Sequence, residues 1–205
     1  MSYQTEQEQF WASEFGTEYI QRNCDQDSLH RLIGVFFEII SFTPKINSAL
    51  EFGANIGQNL RALQFILPQI KLSAIEINES AVGYLQKLGL EKIYHQSILD
   101  FTPDHVRDLV MICGVLIHIN PEALPQVYEK LYRSSKQYLL ISEYYNPTPV
   151  EIPYRGHRNK LFKRDFAGEM MDQFPDLKLV AYRFIYHRDP LRQGGDQTWF
   201  LLEKT

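Results

Sequence analysis

Between residues 48 and 143, short apolar runs alternate with amphipathic stretches, and this alternation limits the possible folds more than any other feature of the chain. The runs SALEF, KLSAIEI, EKIYHQSI, DLVMICGVL and QYLLISEYY read as buried strands. Between them IGQNLRALQFIL, ESAVGYLQKL and PEALPQVYEKLYRSS repeat apolar residues at helical spacing. Pro68 stops the first of these helices, Gly89 ends the second, and Asn120 with Pro121 opens the third as N-cap and first-turn proline. Parallel strands need crossover connections, so the pattern predicts an α/β fold with a mostly parallel sheet flanked by helices.

The flanks of this region read differently. Thr5 and Glu8 fit a capping box ahead of Phe10, Trp11 and Phe15, with Gly16 placed to stop that short helix. Leu29, Leu32, Ile33, Phe36, Phe37 and Ile40 mark a second helix over residues 28–40. Residues 146–164 form a long proline-containing connection, of a length that is usually functional or disordered. A helix then runs from Asp165 to near Pro175, and LKLVAYRFIYHR and QTWFLLEK, joined at Gly194–Gly195, predict a C-terminal antiparallel hairpin. The length of 205 residues suits one domain, 1–205.

Charge narrows the partners. With 21 basic against 25 acidic residues the chain lacks the positive field that nucleic acid requires. Its longest apolar run, LVMICGVLIHI, is too short to span a bilayer, so no membrane partner is expected. The amino terminus shows no secretory signal, and Cys24 and Cys113 form no CxxC pair, which together predict a cytoplasmic protein without a metal site.

The most informative segment is EFGANIGQNL. Gly53 lets the chain turn off a strand, Gly57 lets the next helix approach closely, and that helix points its amino-terminal N–H groups into the crevice. A dinucleotide pyrophosphate needs a glycine where this chain has Asn55, which disfavours an NAD(P) oxidoreductase. A cofactor carrying sulfonium and ammonium charges tolerates Asn55 and favours a nearby acid, which Glu51 supplies. The glycines equally suit a plain strand–helix corner, but Glu76, followed by Ile77, closes the next strand about 20 residues after Gly57, the spacing of an acid that binds ribose hydroxyls.

These motifs, with the strand-end HQSI and the strand DLVMICGVLIHI, resemble those of class I S-adenosylmethionine-dependent methyltransferases, whose fold is Rossmann-like. QEQFWASEFGTEYIQRN, GVLIHINP and SEYYNPTPVEIPYRGHRNKLFKRDFAGE are similar to the methylases associated with pseudaminic acid biosynthesis. The resemblance implies S-adenosylmethionine as cofactor and S-adenosylhomocysteine as product. It makes Gly53, Asn55 and Gly57 the methionine-side turn, Glu76 and Ile77 the ribose contact, and Ser97 and Ile98 the adenine contact. Ser97 departs from the aspartate that many of these enzymes carry there. Gly114 and Val115 are expected to present backbone beside the methionine moiety, and Trp11, Tyr19 and Asn23, within a segment 1–27, to close over the cofactor or simply to pack as core.

For the acceptor, the D/N-P-P-Y/F signature of nucleobase methylases is missing, since the corresponding stretch is ICGVLIHINP. Tyr144, Tyr145, Tyr154 and Arg155, in or just before the 146–175 loop and helix, are the candidate acceptor contacts. A basic cluster there predicts an anionic small molecule, sugar-related by the family resemblance and methylated at N or O. His118, and after it His157, are the candidates to take the departing proton, because imidazole ordinarily titrates near neutrality. A modified peptide, another metabolite, or a catalytically silent regulatory role are the alternatives, and the oligomeric state is left open.

Overall fold

The computed structural model describes residues 3–22, 26–189 and 195–205, so Asn23, Cys24 and Gly194 of the expected hairpin turn lie outside the described residues. The chain forms two compact units, Met1–Thr102 and Pro103–Thr205.

In the first unit, α1 (Glu6–Ala12) and α2 (Glu14–Arg22) precede α3 (Gln26–Ser41). The strand β1 (Ser48–Phe52) leads into α4 (Gln58–Ile66), β2 (Lys71–Glu76) into α5 (Glu79–Leu85) and a short 3-10 turn, and β3 (Lys92–His95) follows. The three strands run parallel in the order β3-β2-β1, with Phe52 opposite Ile75 and Glu76 opposite His95. Leu50, Phe52, Ala74 and Ile75 are fully buried in the strands, as are Leu60 and Leu63 in α4, the ordinary core of a sheet covered by helices.

The second unit holds β4 (Arg107–Cys113), α6 (Leu124–Ser134), β5 (Ser135–Glu143), the two-residue strands β6 (Val150–Glu151) and β7 (Phe162–Lys163), α7 (Phe166–Gln173), β8 (Leu177–Ile185) and β9 (Gln197–Lys204). Its main sheet runs β4-β5-β9-β8, with β4 and β5 parallel and the last two strands antiparallel. The C-terminal hairpin is therefore present. Asp165, where the sequence expects a helix to start, accepts from Gly168 N as the N-cap of α7; Asn120 accepts from Glu122 N but caps a 3-10 turn, Pro121–Ala123, and α6 itself starts at Leu124 without a side-chain cap.

Three local expectations change. The 146–164 connection is not irregular: β6 and β7 pair antiparallel, and Tyr154–His157 closes a two-residue turn with Arg155 at φ 48° and Gly156 at φ 85°. Positive φ at both central positions is the geometry of the type I′ hairpin turn. The strand expected to run through Gly114–Leu116 stops at Cys113, because Gly114 turns to φ 67° and a 3-10 turn, Leu116–His118, follows.

Gly16 does not end a helix either. The thirteenth residue, Ser13, separates α1 from α2, and Gly16 lies inside α2 where a Cβ would stand 2.0 Å from the Trp11 carbonyl oxygen. It is a close-approach glycine for helix packing. Gly16→Ala should therefore undock α1: hydrogen exchange of the α1 amides should rise sharply while those of β1 and β2 stay protected. Unchanged protection in α1 would show that the two helices have room to separate.

Candidate cofactor and acceptor sites

In the first unit the corner between β1 and α4 is built from alternate left-handed residues, Gly53 at φ 72°, Asn55 at 49° and Gly57 at 79°. Asparagine is among the few side chains that tolerate this region. Gly57 caps α4, and a Cβ there would stand 2.5 Å from Leu88 Cδ1 and 2.9 Å from Leu85 Cδ2. The glycine is required by packing against α5, so a bulky substitution damages the fold before it tests a ligand.

Glu76 ties this corner to the next one. Its Oε2 accepts from Asn55 N at 2.7 Å, and its Oε1 from Ile77 N at 2.9 Å and Asn78 N at 2.8 Å. A carboxylate offers about four accepting positions, so one remains, on Oε2. Burial raises the Glu76 pKa while those N–H groups oppose the rise. Asn78 extends the network, its Nδ2 donating to Trp11 O at 3.2 Å and Thr17 Oγ1 at 3.3 Å. Trp11 and Tyr19, whose rings meet edge to face at 5.3 Å, are thereby joined to the Glu76 corner.

Glu51, 1% exposed at the end of β1, receives Asn59 Nδ2 on Oε1 at 2.6 Å. Its Oε2 has no hydrogen-bond partner among the described residues, and neither has Asn55 Oδ1. Burial lifts the Glu51 carboxyl to about 8, with the neighbouring Glu76 adding to the rise. Two buried acceptor atoms without donors, one of them on the raised-pKa acid Glu51, suit a ligand that brings donors or positive charge. Ser97, at the end of β3, donates its hydroxyl proton to Glu8 and accepts from Leu99 N at 3.0 Å; Ile98 beside it is buried.

In the second unit the turn after β4 is held by an acid. Gly114 N donates to Ser142 O at 2.8 Å, while Val115 N and Leu116 N both donate to Glu143 Oε1 at 2.9 Å. Glu143 is 2% exposed, burial raises its carboxyl to about 8, and its Oε2 has no partner among the described residues. It carries the same sign as Glu76, an acid closing an apolar strand, and it belongs with the candidate site residues although its neighbours Tyr144 and Tyr145 draw attention first. Glu8 and Asn78, by contrast, have no local signature of what they reach.

His118 is buried, with Nδ1 bonded to the Lys160 carbonyl and its ring 5.0 Å from that of Tyr154. A carbonyl only accepts, so Nδ1 carries the proton of the neutral ring and Nε2 the lone pair. Tyr144 is half-buried under Lys163 Nζ, 4.9 Å from its ring, and Tyr145 packs 5.9 Å from Phe200. Arg155 and His157 are exposed at the hairpin turn.

No protein-family model matches the chain, and no curated protein matches it in sequence. Solved structures match its fold. The 1,6-didemethyltoxoflavin-N1-methyltransferase of Burkholderia thailandensis, crystallised with S-adenosylhomocysteine, matches at TM-score 0.73 and 14% identity over 100% of this chain and 92% of that one. A SAM-dependent methyltransferase of Leishmania major gives 0.71 and 14%, over 97% and 81%. The plantazolicin methyltransferase BpumL, in complex with SAH, gives 0.63 and 14%, over 97% and 94%. The fold is thus the Rossmann-like methyltransferase fold. Among the described residues no helix is long and apolar enough to cross a membrane.

The environment of His118 has a measurable consequence. Burial lowers its pKa to about 4, against 6.5 for the free side chain. The unfolded chain then binds the proton more readily, so stability falls as pH drops from 6.5 towards 4. The unfolding free energy of the wild type relative to His118→Gln should lose up to about 3 kcal/mol across that window. A difference independent of pH would place the imidazole in contact with solvent.

Proposed function

We propose that this chain is an S-adenosylmethionine-dependent methyltransferase acting at N or O on a small metabolite of the sugar-related kind that the family resemblance names. The observation that carries the reading is the acceptor-rich corner of the first unit: Glu51 Oε2 and Asn55 Oδ1 without donors, and one open position on Glu76 Oε2. A buried carboxyl at Glu51 ionises readily beside an ammonium or sulfonium and is disfavoured from ionising beside a pyrophosphate, which favours this cofactor over a dinucleotide. The fold neighbours crystallised with S-adenosylhomocysteine support the same choice.

The cofactor supplies an electrophilic methyl group; the chain supplies alignment and a route for the proton. Glu51 and Asn55 are placed to hold the amino-acid end, with Gly53 and Gly57 shaping the corner, and Glu76 with Ile77 to hold the ribose. Ser97 and Ile98 are assigned the adenine end and Trp11 and Tyr19 the cover; within the second unit Gly114 and Val115, whose N–H groups donate to Ser142 O and Glu143 Oε1, are assigned the backbone contact to the methionine moiety. Orienting two reactants well is worth about 7–11 kcal/mol, enough for a transfer that needs little other chemistry. His118, with its lone pair on Nε2, is the proposed proton acceptor, and its lowered pKa keeps it neutral and ready at physiological pH.

Tyr144, Tyr145, Tyr154 and Arg155 are the proposed acceptor contacts. Arg155 holds φ 48° at the turn tip, where a bulky side chain costs about 1–3 kcal/mol that glycine would avoid. That strain supports a use for the guanidinium, namely an anionic group on the acceptor. A modified peptide is the second reading, because the turn is exposed and one fold neighbour is the plantazolicin methyltransferase. Incubation with S-adenosylmethionine and separate panels of acidic amino sugars and peptides, read by a mass gain of one methylene, decides between them. Sugar modification that Arg155→Ala weakens without loss of cofactor affinity supports the first reading; peptide modification alone overturns it.

Cofactor binding should also move a proton. Glu51 titrates at about 8 in the free protein, and an ammonium beside it lowers that value. Near pH 7 binding therefore releases a proton, and affinity falls on acidification below 8 by at most tenfold per pH unit. The calorimetric enthalpy of S-adenosylhomocysteine binding should depend on the buffer's ionisation enthalpy, and Glu51→Gln should remove the dependence. Buffer-independent heats in the wild type would place the ammonium away from Glu51.

A further inference from the structure

The helix α1 carries a buried carboxyl to the end of β3. Glu8 is 7% exposed, and its two oxygens are used unequally. Oε2 is taken locally by Gln4 N and Thr5 N, both at 2.7 Å, and by Thr5 Oγ1 at 3.1 Å, within the capping box. Oε1 accepts one bond, from the Ser97 hydroxyl 89 positions away in the chain. One accepting position is left on Oε1. A second tether, Gln4 Nε2 to Asp100 Oδ1 at 2.7 Å, holds the same helix end to the segment after β3.

A capping box alone would not bury its glutamate against another element, since capping residues work equally well at a solvated helix end. Here α1 is carried to the carboxyl end of a parallel strand, where ligands of open α/β sheets bind. The strand order β3-β2-β1 puts the corner with Glu51 and Asn55 at β1, Glu76 at β2, and Ser97 at the end of β3. A nucleoside whose ribose meets Glu76 lays its base towards β3. There Ile98 offers a buried apolar surface, and Ser97, having given its single proton to Glu8, has no proton to donate.

We propose that Glu8 is a specificity-determining residue of the nucleoside subsite: its Oε1 accepts the exocyclic amino group of the base, selecting a 6-amino purine over a 6-oxo one. The amino-terminal helix then belongs to the binding site. The proposal rests on the cofactor reading given above, and it assigns the base-recognition charge to α1 where the end of β3 has only a hydroxyl. A charge-assisted bond of this kind favours the amino group, and a 6-oxo purine meets the carboxylate with an oxygen instead.

The test is calorimetric titration of the full chain with S-adenosylhomocysteine and with S-inosylhomocysteine. The wild type should prefer the adenosyl ligand by roughly tenfold or more. Glu8→Gln, which can still accept within the capping box, should reduce that preference severalfold, because its amide can donate to the 6-oxo group. If Glu8→Gln loosens α1, both affinities fall together and the ratio is preserved, which overturns the proposal. Glu8→Ala should lose the preference and the double variant Glu8→Ala with Ser97→Asp should regain it, as a carboxylate is restored at the same place; failure to regain it counts against the proposal. A wild type that binds neither ligand refutes the cofactor reading itself, whereas a wild type that binds both equally refutes only the role of Glu8.

Discussion

Three backbone N–H groups from two different strand–helix corners converge on the carboxylate of Glu76, and the architecture of the first unit depends on that convergence. Asn55 N comes from the corner after β1, Ile77 N and Asn78 N from the corner after β2. Each N–H would otherwise be left without a partner at a buried turn, at a cost of about 1–3 kcal/mol. The clamp fixes the left-handed Asn55, and through Asn78 it reaches the carbonyl of Trp11 and hence α1 and α2. The residue that the spacing marks as a ribose contact is also the joint between two corners of the fold. Removing its side chain changes both, so the loss of affinity in such a variant measures more than one hydrogen bond.

The buried acids share a physical logic. Glu51 and Glu143 each close or nearly close an apolar strand, each gives one oxygen to donors of its own unit, and each leaves the other oxygen without a partner among the described residues. Burying an ionised carboxylate without pairing is so costly that the group takes up a proton instead, and both titrate at about 8. The protein thus folds with two buried acids that are largely protonated at neutral pH. Between the ordinary carboxylate value and 8 the folded state holds these protons more tightly than the unfolded chain, so they lower stability as pH rises through that window.

Much of this was legible in the sequence, for local reasons. Strand and helix alternation, the Thr5–Glu8 capping box, the helix start at Asp165 and the Gly53–Gly57 corner all depend on residues within a few positions of each other. Gly16 was misleading because a glycine that ends a helix and one that admits a neighbouring backbone look alike in a linear pattern; only the nearby Trp11 carbonyl distinguishes them. The β6–β7 arm escaped notice because strands of two residues have no periodicity to read. The partnership of Glu8 with Ser97 spans 89 positions, and no spacing rule reaches that far. His118 was visible as a candidate base, but its depressed pKa follows from burial, which the apolar neighbours Ile117 and Ile119 only hint at.

The central claim is that the first unit binds S-adenosylmethionine at the corner held by Glu76. Its most direct test is a nuclear magnetic resonance titration of nitrogen-15-labelled protein with S-adenosylhomocysteine, and separately with NAD. The account predicts saturable shifts concentrated at the amides of Gly53, Asn55, Gly57, Ile77 and Asn78 with the first ligand and none with NAD. Saturable shifts with NAD at these amides, or none with S-adenosylhomocysteine, would contradict it.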